Sequence, residues 1–303
     1  MNWNVINICI ATTCNKYLKF AASFLESLYE HLNPKYKYHL YFLSNEIVNE
    51  DIKSKLFYKK NENFEVTFIH IDEKKIFWKY ENLKNRSNII LYRWLLSDYI
   101  NEDRILFMDH DTIVRWDVSE LYFTDLWDNI IWATKDCLLR STPILKEYNV
   151  TKYFNAWIQL INLKKWREKN LKNKALEFVN NNFKNLWIPD QDTLNILLKD
   201  KWLPINPKWN WINISTFTNK WTQYTKREFY DLRHPIIVHY AWDSNRPWWW
   251  LICVHPKRYL YYKYIFKTKF WDVSDVCRFP LRLLTSNYLC RTLYKVARLL
   301  FHK

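Results

Sequence analysis

Two carboxylates one residue apart carry the strongest chemical signal in the chain. Asp109-His110-Asp111 directly follows the short apolar run Arg104–Met108. On an extended segment, positions i and i+2 point to the same side, so both carboxylates can face one cation. Hard oxygen ligands suit Mn²⁺ or Mg²⁺, and such an ion can bridge to a diphosphate and neutralise a departing nucleotide. An isolated acidic pair is common in solvated loops and says little by itself. Here a buried-strand pattern precedes the pair and apolar Ile113-Val114 follows it, which a solvated turn does not need.

The elements that must hold this pair are read from hydrophobic periodicity. Val5–Thr12 has the pattern of a buried strand, and Tyr17–His31 repeats apolar residues at helical spacing (Leu18, Ala21, Ala22, Leu25, Leu28). His39–Leu43 reads as a second strand, Glu50–Lys60 as a polar helix, Phe64–Ile71 as a third strand and Ser87–Ile100 as a helix before the Arg104–Met108 strand. Strands alternating with helices imply a parallel, doubly wound α/β sheet, in which ligands bind beyond the carboxyl ends of the strands. Asp109 and Asp111 fall at such an end. Further on, Asn129–Lys135, Trp157–Leu163 and Pro235–Tyr240 read as strands, Lys164–Phe183 as one basic amphipathic helix and Gln191–Leu198 as a short helix.

Composition narrows the class. The 303 residues are 49% hydrophobic and 25% charged, which is globular rather than disordered. No apolar run approaches the ~18 residues of a membrane span. The opening segment lacks the charged, apolar and small-residue regions of a secretory signal, so a cytoplasmic protein is expected. Cys9, Cys14, Cys137, Cys253, Cys277 and Cys290 are scattered without a CxxC pair, against both a zinc site and a disulfide framework. A net charge of +15 calls for an anionic partner (phosphates, nucleic acid or an acidic membrane surface) without choosing among them. The chain contains no glycine and 18 tryptophans, where about 20 glycines are expected at this length. Trp residues stand in turn-like settings such as Asn2-Trp3-Asn4 and Leu126-Trp127-Asp128, where glycine's freedom at positive φ is needed. We read many of them as glycine positions, as would arise if a UGA codon decoded as Gly in the source were translated as Trp.

Four ordered segments then form a recognisable pattern. DRILFMDHDTIVRWDVSELYFTDL resembles the acidic-pair region of family 8 glycosyltransferases, the group containing glycogenin and bacterial lipopolysaccharide hexosyltransferases. YFNAWIQLINLKKWRE is similar to a second family segment, with Trp157 at a Gly position, and IPDQDTLN to a third. VHYAWDSNRPW resembles a fourth, with Trp242 at a Gly position, so that the likeness runs from about Val5 to Trp248 in family order. The resemblance implies a GT-A fold, a Rossmann-like mixed sheet flanked by helices, with a UDP-hexose donor and retention of anomeric configuration. It makes Asp109, Asp111 and His239 the ligands of Mn²⁺ (or Mg²⁺), a carboxylate-carboxylate-imidazole set suited to that ion. It places Asn155, Asp190 and Gln191 against the transferred sugar. Donor contacts are implied for Ala11, Thr12, Arg93, Asp109, His110, Asp111 and Arg246. Gln191 is a neutral amide and a poor nucleophile, which favours a same-face displacement assisted by the leaving diphosphate. Away from the reaction, a lone histidine on an apolar strand is usually a packed core residue, and Asp190 or Asp192 can cap a helix, with Asp192 the better cap.

The chain departs from the family in three respects. The loop after the first strand, ATTCNKY, lacks the Asp that usually stands near the uridine, which leaves only backbone contacts from Ala11 or Thr12. Trp157 and Trp242 put indoles where backbone should approach the donor. Taken literally they favour a catalytically inactive nucleotide-sugar-binding relative. Arg246 replaces the usual Lys and sits one residue further from His239, although Arg can hold phosphate bidentately. Trp166, Trp209 and Trp248 fall where the family accepts an aromatic.

The chain divides into a catalytic domain over 1–265 and a basic amphipathic appendage over 266–303. Arg278, Arg282, Arg291, Lys295, Arg298 and Lys303 interleave there with Leu and Tyr, which suits an anionic membrane surface. The expectation is a hexosyltransferase acting on a glycan or lipid-linked acceptor, as in lipopolysaccharide or surface polysaccharide synthesis, peripheral at the inner face of the membrane. A basic nucleic-acid-binding protein would fit the charge and the 19% aromatic content, yet no nucleic-acid motif occurs and the acidic pair would have no role.

Overall fold

The computed structural model describes residues 5–13, 17–59, 61–84, 87–136, 142–199, 201–213, 224–242, 245–248, 253, 255–272 and 275. Cys14, Cys137, Cys277 and Cys290 and the basic segment Arg278–Lys303 lie outside them. Strands β1 (Val5–Thr12), β2 (Lys37–Ser44), β3 (Phe64–His70), β4 (Arg104–Met108), β6 (Ile131–Lys135), β7 (Phe154–Asn162) and β8 (Trp202–Ile205) form one sheet in the order β3-β2-β1-β4-β7-β6-β8. A smaller sheet in the order β5-β10-β9 joins β5 (Thr112–Val114), β10 (Ile237–His239) and β9 (Trp211–Ile212). Helices α1 (Leu18–Glu30), α2 (Glu50–Leu56), α3 (Glu73–Phe77), α4 (Tyr92–Tyr99), α5 (Ser119–Tyr122) and α6 (Pro143–Glu147) fall in the first half. They are followed by α7 (Leu163–Glu168), α8 (Leu171–Asn182), α9 (Pro189–Leu197), α10 (Lys226–Asp231) and α11 (Tyr259–Ile265).

The central strands are apolar on both faces because helices cover both. Ile8, Ile10, Leu106 and Met108 pack with α1 residues such as Phe24 and Leu25, while Cys9, Ala11, Ile105 and Phe107 pack with Trp94 of α4 and Trp166 of α7. Alternation along each strand thus sends successive residues to opposite layers. β1 is parallel to β2 and β4, and β2 to β3.

The all-parallel sheet expected from the βα alternation needs correction: β7 runs antiparallel to both β4 and β6. Burial on both faces gives β7 the same apolar run in either direction, so periodicity is blind to the difference. The mixed sheet implied by the family resemblance is the one found. The expected helix Lys164–Phe183 is two helices, broken at Asn170, which adopts a left-handed conformation at φ 50° and ψ 42°. The expected Ser87–Ile100 helix begins as a 3₁₀ turn at Ile89–Leu91 before α4.

The described tryptophans range from buried to exposed, with Trp132, Trp157, Trp211 and Trp242 half-buried. Trp94, Trp166, Trp202, Trp209 and Trp248 are buried, whereas Trp78, Trp116, Trp127, Trp187 and Trp271 are exposed by 49–70%. Among the described residues, those with positive φ other than glycine are Trp127 (42°), Asn149 (53°), Asn170 (50°) and Trp242 (66°). Asn tolerates that region through its short polar side chain, but an indole does not, so Trp127 and Trp242 sit where glycine belongs.

Candidate active site

The chain leaves β4 at Met108 and turns through Asp109-His110-Asp111 into β5, which carries the pair to the carboxyl end of the parallel strands. Backbone bonds fix the turn: Asp109 donates its N–H to the Trp157 carbonyl (3.1 Å), and the Asp111 carbonyl accepts from Tyr240 (3.0 Å). β10 pairs with β5 so that His239 lies opposite Thr112. The small sheet therefore brings His239 Nε2 to 3.1 Å from Asp111 Oδ1, across 128 residues of sequence. One ligand atom from each of Asp109, Asp111 and His239 lies within 4.8 Å of the others. Two carboxylate oxygens and an imidazole nitrogen this close fit one Mn²⁺ or Mg²⁺ ion, which relieves the mutual repulsion of the two acids.

The local electrostatics follow from burial and neighbours. Burial pushes the Asp109 carboxyl above its ordinary range, opposed by Arg93 and reinforced by Asp111. At Asp111 burial also works upward, but His239, His110 and Arg246 prevail and hold it well below the carboxylate range. Asp190, at the first turn of α9, is pushed up to about 6 by burial, with Arg93 opposing and Asp109 adding to the rise. Arg93 is buried behind the carboxylates. Its Nη2 lies 3.3 Å from Asp109 Oδ1 and 3.6 Å from Asp190 Oδ2, and its Nη1 donates to the Ala156 carbonyl.

The expected site residues are gathered at this end of the sheet, though in different layers. Asp109, Asp111, Asp190, His239 and Arg246 line an open pocket of about 570 Å³, together with Trp157, Trp187 and Trp242. Arg246 Nη2 stands 3.7 Å from Asp111 Oδ2. The Trp157 indole meets the His239 ring edge-on, with centroids 5.4 Å apart. His110 turns away and shares its Nδ1 with the Ala11 carbonyl at 2.9 Å, while Thr12 is fully buried at the end of β1. Gln191 and Asn155 are fully buried behind the pocket wall. The Gln191 amide accepts from Ala156 N–H (2.8 Å) and donates to Asp136 Oδ2 (2.9 Å). Asp192 holds the start of α9, its Oδ2 accepting from the backbone of Trp187 (2.8 Å) and Ile188 (3.0 Å).

Two residues of this network are missing from the sequence reading. Asp136 follows β6, at another carboxyl strand end, a position that could have marked it. Asn210 lies between a 3₁₀ turn and β9, in the run Lys208-Trp209-Asn210-Trp211, and carries no spacing signal.

Comparison with known proteins identifies a family and a fold. Residues 8–250 match the sequence model of glycosyl transferase family 8. General stress protein A of Bacillus subtilis is 30% identical over 230 residues, covering 69% of this chain and 76% of that protein. Lipopolysaccharide 1,2-glucosyltransferase of Escherichia coli is 26% identical over 220 residues, covering 64% and 63%. Glycosyltransferase GlyE of Streptococcus pneumoniae is 26% identical over 174 residues, which span 55% of this chain but 38% of that protein. Among solved structures, the galactosyltransferase LgtC, in complex with donor and acceptor sugar analogues, superposes with a TM-score of 0.73 at 22% identity. The match covers 90% of this chain and all of that one.

Proposed function

The chain belongs to glycosyl transferase family 8 and has the GT-A fold, and from that premise we propose that it is a retaining, metal-dependent hexosyltransferase. The fold implies a nucleotide-sugar donor and a glycan acceptor. The donor is a UDP-hexose, and the acceptor a glycan or lipid-linked saccharide of the lipopolysaccharide or surface-polysaccharide kind. The catalytic unit is 1–265, with 266–303 as a basic appendage whose first residues are tied to the domain through Lys267 and Asp272 and whose remainder rests on the inner face of the membrane. The observation that carries the reading is the convergence of Asp109, Asp111 and His239 on one point beside Asp190 and Arg246.

A Mn²⁺ or Mg²⁺ ion held by Asp109, Asp111 and His239 would supply charge neutralisation for the leaving diphosphate. Arg246 adds a bidentate cation beside Asp111. Arg93 pairs with both Asp109 and Asp190 and opposes the upward pull of burial on each, and Asp190 orients sugar hydroxyls at the pocket wall. Both ends of the Gln191 amide are engaged by Ala156 and Asp136, which supports a fixed polar wall rather than an attacking group. With Gln191 unable to attack and the Asp190 carboxylate paired with Arg93, the acceptor hydroxyl enters from the side the diphosphate leaves, and its proton passes to the departing phosphate oxygen. Trapping a sugar covalently on the protein would refute this route.

An inactive nucleotide-sugar-binding relative is a second reading, favoured by the Trp157 and Trp242 indoles in the pocket lining. Hydrolysis of a panel of UDP-sugars with Mn²⁺ separates the two, run on this chain, on a Trp157→Gly/Trp242→Gly form and on an Asp109→Ala/Asp111→Ala control. Turnover abolished in the control supports the transferase and names the donor. UDP binding without turnover in either form supports the inactive relative.

A further inference from the structure

We propose that Asn210 is a positioning residue that fixes the proton of His239 on Nδ1 and so turns the Nε2 lone pair toward the cation site. It is the last link of a hydrogen-bond relay that starts beneath the sugar pocket. Asp136 is fully buried and its carboxylate can only accept. Asn155 must therefore present its amide nitrogen to Asp136 Oδ2, 3.2 Å away. The same orientation lets Asn155 Oδ1 accept the backbone N–H of Trp157 at 3.1 Å, a donor whose polarity is fixed. Asn155 Oδ1 in turn faces Asn210 at 2.8 Å, so Asn210 must offer Nδ2, which also reaches Thr134 Oγ1 at 3.3 Å. That leaves Asn210 Oδ1 facing His239 Nδ1 at 2.9 Å. An oxygen acceptor there demands Nδ1–H. Nε2 is then the nitrogen directed at Asp111 Oδ1, and a cation between them replaces two facing acceptors with two metal bonds.

Every link is buried: Asp136, Asn155 and Asn210 are fully inaccessible, and Thr134 and His239 nearly so. An amide flip at any one link would set two donors or two acceptors face to face, at the full cost of an unsatisfied buried group. The relay therefore joins the buried Asp136–Asn155 pair behind the pocket wall to the metal-ligand imidazole. Orientation of a ligand histidine by its second nitrogen is a general determinant of metal affinity. The inference rests on the reading of Asp109, Asp111 and His239 as a cation site.

The test compares the wild-type chain with Asn210→Leu, which removes both polar atoms, and Asn210→Asp, which keeps an acceptor toward Nδ1 but cannot donate to Asn155. Mn²⁺ binding in the presence of UDP is followed by loss of the free-ion electron paramagnetic resonance signal. Asn210→Leu should raise the Mn²⁺ dissociation constant about 10–100-fold, while Asn210→Asp retains wild-type affinity and loses UDP-sugar turnover. A folded Asn210→Leu chain that binds Mn²⁺ as the wild type does would overturn the proposal. Long-range ¹H–¹⁵N spectra of histidine-labelled wild type with Mg²⁺ and UDP, assigned by signal loss in His239→Gln, give a readout that needs no folded Asn210 variant. A proton on Nδ1 of His239 is expected; a neutral ring protonated on Nε2 sinks the relay. If folded wild type binds no Mn²⁺, the cation reading of the site fails. The metal-free spectrum then still judges the relay by the same two outcomes.

Discussion

Arg93 shows how a single side chain can hold a site together. Its guanidinium, almost wholly inaccessible, donates to the carbonyls of Ile90 and Ala156, pairs with Asp109 and Asp190, and stacks 4.8 Å from the Phe107 ring. Arg93→Met should leave the buried Asp190 carboxylate and the half-buried Asp109 carboxylate without their cation and destabilise the fold by about 3–5 kcal/mol, measured by urea unfolding. Arg93→Lys restores the charge without the planar fork and should recover only part of the loss. Trp127 tests the glycine reading at another residue. It is two-thirds exposed with φ 42°, so its indole gains little and its backbone is strained. Trp127→Gly should leave stability unchanged or raise it by about 1 kcal/mol, whereas Trp127→Ala, which keeps the Cβ clash, should gain nothing. Both are read from urea midpoints. Peptide mass spectrometry of the protein made in its own source gives the direct answer at Trp157 and Trp242, since genuine Trp there would end the idea.

At the scale of elements, α11 closes against α1, and an ion-pair cluster marks the joint. Glu30 at the end of α1 accepts from Lys263 of α11 and from Lys267 just beyond it (2.5 Å to Lys267). Burial works to raise the Glu30 carboxyl, but the two lysines bring it down to about 2. A lowered carboxylate stabilises the fold fully above its ordinary value of 4.5 and loses that contribution as pH falls toward about 2. The cluster is partly exposed and screened, so Glu30→Gln should cost under about 1 kcal/mol at neutral pH. Thermal melts from pH 7 down to pH 3 should show the difference from wild type shrinking below pH 4.5. The elements themselves were legible where an apolar run marks them, as it does even for the three-residue β10 inside Pro235–Tyr240. β1, β2, β3, β4 and α1 fall within a few residues of their expected bounds, because burial leaves a periodic record in a long run. β5 and β9 span three and two residues and leave none. The direction of β7 leaves none either. The same rule governs the site. Asp109, Asp111 and His239 sit in ordered motifs. Asn210 acts through hydrogen bonds to residues 29, 55 and 76 positions away, and one asparagine among aromatics announces nothing of that.

At the scale of the whole molecule, the charge is out of proportion to what the pocket needs. A donor diphosphate calls for few cations, yet the net charge is +15. No helix among the described residues is long and apolar enough to cross a membrane. A charge of this sign attracts anionic headgroups at about 1 kcal/mol for each basic residue near them. Arg278, Arg282, Arg291, Lys295, Arg298 and Lys303 lie together in the last stretch of the sequence. Residues just before it are tied back to the domain, where Lys19 pairs with Asp272 at 3.2 Å and with Asp275 at 3.6 Å. Removing residues 276–303 thus leaves α11 and its ion pairs in place. Sedimentation with phosphatidylserine vesicles should be strong for the full chain, weaken steeply as salt rises, and disappear on that truncation. Neutral vesicles should capture neither form. If the truncated chain still sedimented, the anionic contact would belong to the folded domain and the appendage would have another use. If only the full chain bound, the appendage would hold the chain at the membrane, and lipid-linked saccharides become the first acceptors to assay.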